Sequence, residues 1–192
     1  MPRAREFEYD AVLEKAMLLF WKKGYHDTSL QDLVSAMGIN RFSLYATFEN
    51  KETLFQTALD RYQQNVLGTL LAPIEGADAG KAAIYQFFGQ FVEYSTQPVG
   101  KMGCLICNTA IELSPGNTAA TERMQRYLDR LTSAFAGSLR NAQDREEIDA
   151  TLDPQITAEY LTSSFMGLFV SIKSDLPKDR LARYVQNVLR IL

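Results

Sequence analysis

The chain has 192 residues, 46% of them hydrophobic, enough to bury a sizeable core in one large domain or in a small domain plus a larger one. Its net charge of -3 excludes nucleic-acid binding by bulk charge, and residues 1–51 are themselves neutral, so any DNA-facing surface must come from local placement of cations and helix N-termini. An apolar run of about 18 residues is missing, so no membrane span is expected; "MPRAREFEYD" has no apolar segment of a secretory signal, and two cysteines three apart do not form a secreted disulfide framework, so a cytoplasmic protein is expected.

Arg3 and Arg5 open the chain as a short basic arm suited to a minor groove. Val12, Leu13, Ala16, Met17, Leu19 and Phe20 then follow the spacing of an amphipathic helix, which Gly24 ends after Lys22 and Lys23. Thr28 with Gln31 reads as a capping box for a second helix, whose core face is Leu30, Leu33, Val34 and Met37. Gly38 supplies a left-handed residue, Ile39 fills the angle, and Asn40 restarts the chain as an N-cap. This is the short turn of a helix-turn-helix. Asn50 caps a fourth helix through Leu54, Phe55, Ala58, Leu59, Tyr62 and Val66, which "APIEGADAG" is expected to end.

Further on, Ile84, Phe87, Phe88, Phe91 and Val92 form an apolar stripe, broken by "STQPVGKMG". A short segment "CLICNTAIEL" stops at "SPGN", and a long helix is predicted from about Thr118 to Asn141. Asp153 and Pro154 read as N-cap and first residue of the next helix, and the last spans about Lys178 to Ile191. The predicted architecture is all-α, about nine helices: a helix-turn-helix head over residues 1–50 and a helical body over residues 51–192.

At about 100° per residue, placing Leu44 inward turns Phe42 and Ala46 outward, with Ser43 and Tyr45 on the flanks. These four are the candidates for the major groove: Ser43 for a base edge or phosphate, Phe42 and Ala46 for thymine methyl groups, Tyr45 for a phosphate. Arg41 and Thr47 lie nearer the core edge and suit phosphates, as do Thr28 and Lys51 at helix N-termini. In the body, Phe88, Phe91, Phe135, Phe165 and Met166, with Cys104, Cys107 and Asn108, are candidates to line a pocket for an apolar or aromatic small molecule, although core packing is the simpler reading for most of them. Glu93, Thr109 and Glu112 are further polar groups there, and Glu112 reads equally as a solvated or a capping carboxylate. The CxxC of Cys104 and Cys107 has too few ligands for structural zinc; it suits buried packing or a dithiol switch. Phe165, Leu168, Phe169 and Ile172 can join Leu181, Tyr184, Val185, Val188 and Leu189 in a dimer face, or one of these helices merely closes the body's own core.

The run "GYHDTSLQDLVSAMGINRFSLYATFENKETLF", and within it "LYATF" followed by "NKETLF", resembles the TetR family of transcriptional regulators; the body resembles it in helix count and in "GCLICNTAIELSP". The resemblance implies a homodimeric, ligand-responsive DNA-binding protein, most often a repressor, with residues 51–192 as its ligand-binding and dimerisation domain. Two positions depart from it: Thr47 stands where many members place His, and Glu49 where related sequences often have Gly. The other reading is a helical small-molecule carrier whose head no longer binds DNA. No enzyme constellation, cofactor or metal set is expected.

Overall fold

The structure, a computed structural model, describes residues 2–113 and 117–192, with side chains from residue 9 onward. Among the described residues nine α-helices follow one another: α1 (Pro2–Lys23), α2 (Leu30–Met37), α3 (Arg41–Phe48), α4 (Lys51–Tyr62 continuing through Gln63–Leu67 into Gly68–Glu75), α5 (Lys81–Ser95), α6 (Leu105–Leu113), α7 (Thr118–Asp144), α8 (Pro154–Lys173) and α9 (Lys178–Leu189). The Arg3 and Arg5 side chains of the expected arm, and most of the "SPGN" stop, lie outside the described residues.

Local chemistry explains the head. Gly24 ends α1 at φ 86°, its amide bonding the Phe20 carbonyl at 2.8 Å. The N-cap of α2 is Ser29, not Thr28. Ser29 Oγ accepts the Asp32 amide at 3.1 Å, while the Ser29 amide donates to Asp32 Oδ2 at 3.0 Å. Thr28 is unavailable because it is fully buried and its hydroxyl donates to the Gly24 carbonyl at 2.6 Å. Lys23, with the Ser29 amide and hydroxyl, holds the Asp32 carboxyl at about 2. Gly38 closes α2 at φ 73°, ψ 29°, and Asn40 Oδ1 accepts the Ser43 amide at 2.8 Å to open α3. Asn50 does the same for α4 through the Thr53 amide.

The π-helical turn Gln63–Leu67 inserts an extra residue into α4 without breaking it, since Tyr62, Gln63 and Gly68 keep helical angles. The helix passes through Pro73 and ends at Glu75, beyond the expected stop. A proline in the final turn forfeits one hydrogen bond, and α7 compensates at the helix end. Ser138 Oγ donates to the Ile74 carbonyl at 3.1 Å, and Arg130 grips Glu75 with two bonds of 2.6 and 2.8 Å. The true loop, residues 76–80, is tied down by Asn141 Nδ2 donating to the Ala77 and Ala79 carbonyls.

Leu13, Met17 and Phe20 of α1, Leu33 and Met37 of α2, Leu44 and Phe48 of α3 and Phe55 of α4 form the core of the head. It is continuous with the body core through Trp21 and Tyr62, whose rings meet edge to face at 4.8 Å. Arg61 of α4 reaches Asp10 and Glu14 of α1 at 2.7 and 2.9 Å, so α4 belongs mechanically to both parts.

The junction of α3 and α4 holds a strained residue. Glu49 sits at φ 64°, ψ -53°, and the Asn50 amide bonds the Phe48 carbonyl across it at 2.6 Å, a γ-turn of the disfavoured positive-φ kind. Such a conformation costs roughly 1–3 kcal/mol in a non-glycine residue, against about 0.5–1 kcal/mol of extra chain entropy for glycine. Glu49→Gly is therefore expected to stabilise the chain by about 1 kcal/mol and raise Tm by roughly 3 °C in thermal unfolding; an unchanged or lower Tm would contradict the strain.

Candidate nucleic-acid interface and ligand cavity

Of the eight residues of α3, Leu44 and Phe48 are buried, and they pin the helix to the head. The Phe48 ring also stacks on Tyr9 at 5.4 Å. The opposite face is open: Phe42 is 82% exposed, and Arg41, Tyr45, Ala46 and Thr47 are exposed with it, while Ser43 is half-buried. Arg41 lies along Tyr45, its guanidinium 5.7 Å from the ring centre and 3.4 Å from the hydroxyl. Ser43, Ala46 and Thr47 line a groove of about 720 Å³ together with Tyr9, Val12 and Lys15 of α1. Lys15 thus adds a cation to the face, which sequence reasoning missed. Its place in a helical wheel was legible, but the groove that α1 and α3 share was not.

Thr28 does not join this surface, because its hydroxyl is buried and already bonded. Lys51 opens α4 as expected, with its ammonium 4.3 Å from the centre of the Tyr25 ring. The Tyr25 phenol is pushed up to about 12 by burial and then by the hydrogen bond and charge of Glu52.

The expected pocket residues do not line the apolar cavity between α4, α5 and α8. Phe88, Phe91, Phe135 and Phe165 are fully buried and packed ring on ring: Phe91 lies 4.7 Å from Phe165, and Phe88 lies 5.8 Å from Phe135. They are core, because the rings from α5, α7 and α8 fill each other's space. Asn108 is engaged at both ends of its amide, donating to the Met102 carbonyl at 2.9 Å and accepting from Lys173 at 3.0 Å. Cys107 packs against Met166, with sulfurs 3.6 Å apart. A cavity of about 250 Å³ lies instead between α4, α5 and α8, lined by Tyr62, Asn65, Val66, Thr69, Leu70, Gln90, Tyr94 and Phe169. Asn65 and Val66 come from the π-helical turn, which explains why α4 widens there. The Tyr94 hydroxyl on this wall is buried with no hydrogen-bond partner among the described residues.

Behind the cavity, Cys104 is buried at the first turn of α6, its carbonyl accepting the Asn108 amide at 2.9 Å. Burial pushes its thiol up. Hydrogen bonds from the Cys107 thiol and amide, the Tyr62 hydroxyl and the Ile106 amide outweigh burial, so the Cys104 thiol lies below its usual range. Donating to Cys104, and burial after that, hold the Cys107 thiol well above its own.

The expected dimer stripe also needs correction. Phe165, Leu168, Phe169, Ile172, Leu181, Val185 and Leu189 are all buried within the single chain, so that face closes the body's own core. Tyr184 remains exposed and Val188 half-buried. A second face of α8 stays uncovered: Ile156 at 66% exposure, Tyr160, Ser163, Gly167 and Val170 at 61%, spaced by four and three residues along one side.

Two family models match the chain: "Bacterial regulatory proteins, tetR family" over residues 12–58 and "Tetracyclin repressor-like, C-terminal domain" over residues 80–188. The chain belongs to the TetR family of bacterial regulatory proteins. The regulator is 33% identical to the HTH-type transcriptional regulator YezE of Bacillus subtilis (strain 168), over all of both chains. It is 32% identical to the HTH-type transcriptional repressor ComR of Escherichia coli (strain K12), over 98% of this chain and 90% of that one. Its fold superposes with TM-score 0.82 on the TetR family regulator CifR, a cysteine mutant complexed with 26bp double-strand operator DNA, at 27% identity and 94% coverage of each chain. No helix among the described residues is long and apolar enough to cross a membrane.

Proposed function

We propose that this regulator is a cytoplasmic, homodimeric repressor: residues 1–50 read a near-palindromic operator, and residues 51–192 hold the dimer and a small-molecule inducer. The observation that carries this reading is the outward face of α3, held by Leu44 and Phe48 while Phe42, Tyr45, Ala46 and Thr47 stay open. Phe42, Ser43 and Ala46 meet base edges, and Arg41, Tyr45, Thr47 and Lys51, joined by Lys15, meet phosphates. That ComR is named a repressor and that CifR was solved on operator DNA support it.

The inducer site is the cavity beside the π-helical turn. At about 250 Å³ it falls just below the usual pocket range of about 300–1,000 Å³, so its occupant is small. Val66, Leu70 and Phe169 suit an apolar or aromatic body, and Asn65, Gln90 and Tyr94 offer hydrogen bonds to one polar group. Release needs a differential affinity of only about 1–3 kcal/mol between the DNA-competent and incompetent spacings of the two heads.

Fluorescence anisotropy with the DNA upstream of the regulator's own gene tests the DNA reading. Affinity is expected to fall by about a thousandfold or more between 50 and 200 mM salt, given 6–10 phosphate contacts per dimer. Absence of binding, or binding indifferent to salt, would favour the carrier reading.

For the dimer, α8 supplies Ile156, Tyr160, Gly167 and Val170, and α9 supplies Tyr184 and Val188; two such pairs make a four-helix bundle about a twofold axis. Val170→Asp is expected to yield monomers in analytical ultracentrifugation and at least about tenfold weaker operator binding, since it buries an unpaired charge. A variant that remains dimeric would contradict the assignment.

The Cys104–Cys107 pair at the start of α6 supports a second release signal, thiol modification. Hydrogen peroxide is expected to weaken operator binding of the wild type but not of the Cys104→Ser/Cys107→Ser variant. Equal loss in both would remove the thiols from the mechanism.

A further inference from the structure

The helix α6 is fastened to the head at both ends. Near its start the Trp21 indole of α1 donates to the Gly103 carbonyl at 3.1 Å. At its far end Glu112 reaches across to the loop between α1 and α2, 87 positions away in sequence. Its Oε2 accepts the Tyr25 amide at 2.9 Å and its Oε1 the His26 amide at 2.6 Å. Two successive amides after a left-handed residue form a concavity for an anion, and here a carboxylate from the body fills it. The recipient loop is shaped for the purpose. Gly24 is at φ 86°, and a Cβ there would lie 2.6 Å from Glu112 Oε2, so both its backbone and its missing side chain admit the carboxylate. Thr28 braces the same loop from within, its hydroxyl on the Gly24 carbonyl.

We propose that Glu112 is a positioning residue for operator binding, a bidentate latch through which the body sets the orientation of the helix-turn-helix head. The loop it grips leads within a few residues into α2, which carries α3 through the turn at Gly38. Cys104 and Cys107 lie in the first turn of the same α6, and the Cys104 partner Tyr62 lines the cavity. A shift of α6 caused at the cavity or at the thiols therefore reaches the head at its Glu112 end. Sequence alone marked Glu112 as a carboxylate with several uses; its partners are backbone amides, which leave no trace in residue identity.

The proposal rests on the operator-binding reading, so one readout is made without DNA. In the full-length dimer, residual dipolar couplings of backbone amides report how well the head is aligned with the body. Glu112→Gln keeps one acceptor and Glu112→Met keeps none. The ratio of head to body alignment is expected to fall in Glu112→Gln and further in Glu112→Met. On a palindromic operator selected with the wild type, Glu112→Gln should bind about tenfold more weakly, while binding to a single half-site changes by less than about twofold. A preserved alignment ratio, or equal losses on the full site and the half-site, would overturn the latch even if Tm falls, because the contact would then be merely stabilising. A reduced ratio in a chain whose wild type ignores every DNA site would sustain the latch and sink only the operator reading.

Discussion

The structure depends on how an eight-residue helix is kept in place with most of its surface exposed. A helix as short as α3 is not stable alone in water, where about 12–15 residues are needed even for good helix formers. Leu44 and Phe48, one turn apart, anchor it in the core, each burial worth roughly 1.5–3 kcal/mol. Asn40 completes its N-terminus, and the left-handed turn at Gly38 sets its direction. With orientation fixed from beneath, the upper face carries side chains that contribute nothing to the fold. Phe42 is the most exposed of the large apolar side chains among the described residues, and it stands on this face.

The rest of the molecule transmits position to that helix. The two-residue salt bridge of Arg61 joins α1 to α4, the Trp21–Tyr62 contact joins head core to body core, and Glu112 holds the loop ahead of α2. The cavity lies against α4 where the π-helical turn widens it, so a ligand bound there would push on the element shared by both halves. The aromatic cluster of α5, α7 and α8 gives this mechanism a rigid floor: its rings interlock at 4.7–5.9 Å centre to centre.

The head was legible in the sequence because its determinants are local. Asn40, Gly38, Asn50 and the inward Leu44 act within one or two turns of themselves. Thr28 shows the limit: both T-x-x-Q and S-x-x-D fit a cap, and only burial under the head decides for Ser29. In the body, apolar periodicity located the helices but not their partners. The richest stripe of α8, from Phe165 to Ile172, goes to the chain's own core, leaving the weaker stripe of Ile156, Tyr160, Gly167 and Val170 outside. The phenylalanines expected to line a pocket fill it instead, because concavity arises from how α4, α5 and α8 cross, not from composition. Family resemblance supplied what periodicity could not, the regulatory role, and it flagged Glu49, where the backbone proves to be strained.

The central claim, that α3 presents Phe42 to the bases of an operator, is tested most directly by photocrosslinking with p-benzoylphenylalanine in place of Phe42. Irradiation of the operator complex is expected to yield crosslinks to bases at two positions related by the twofold axis of the site. A complex that forms fully yet gives no crosslink from that position would contradict it.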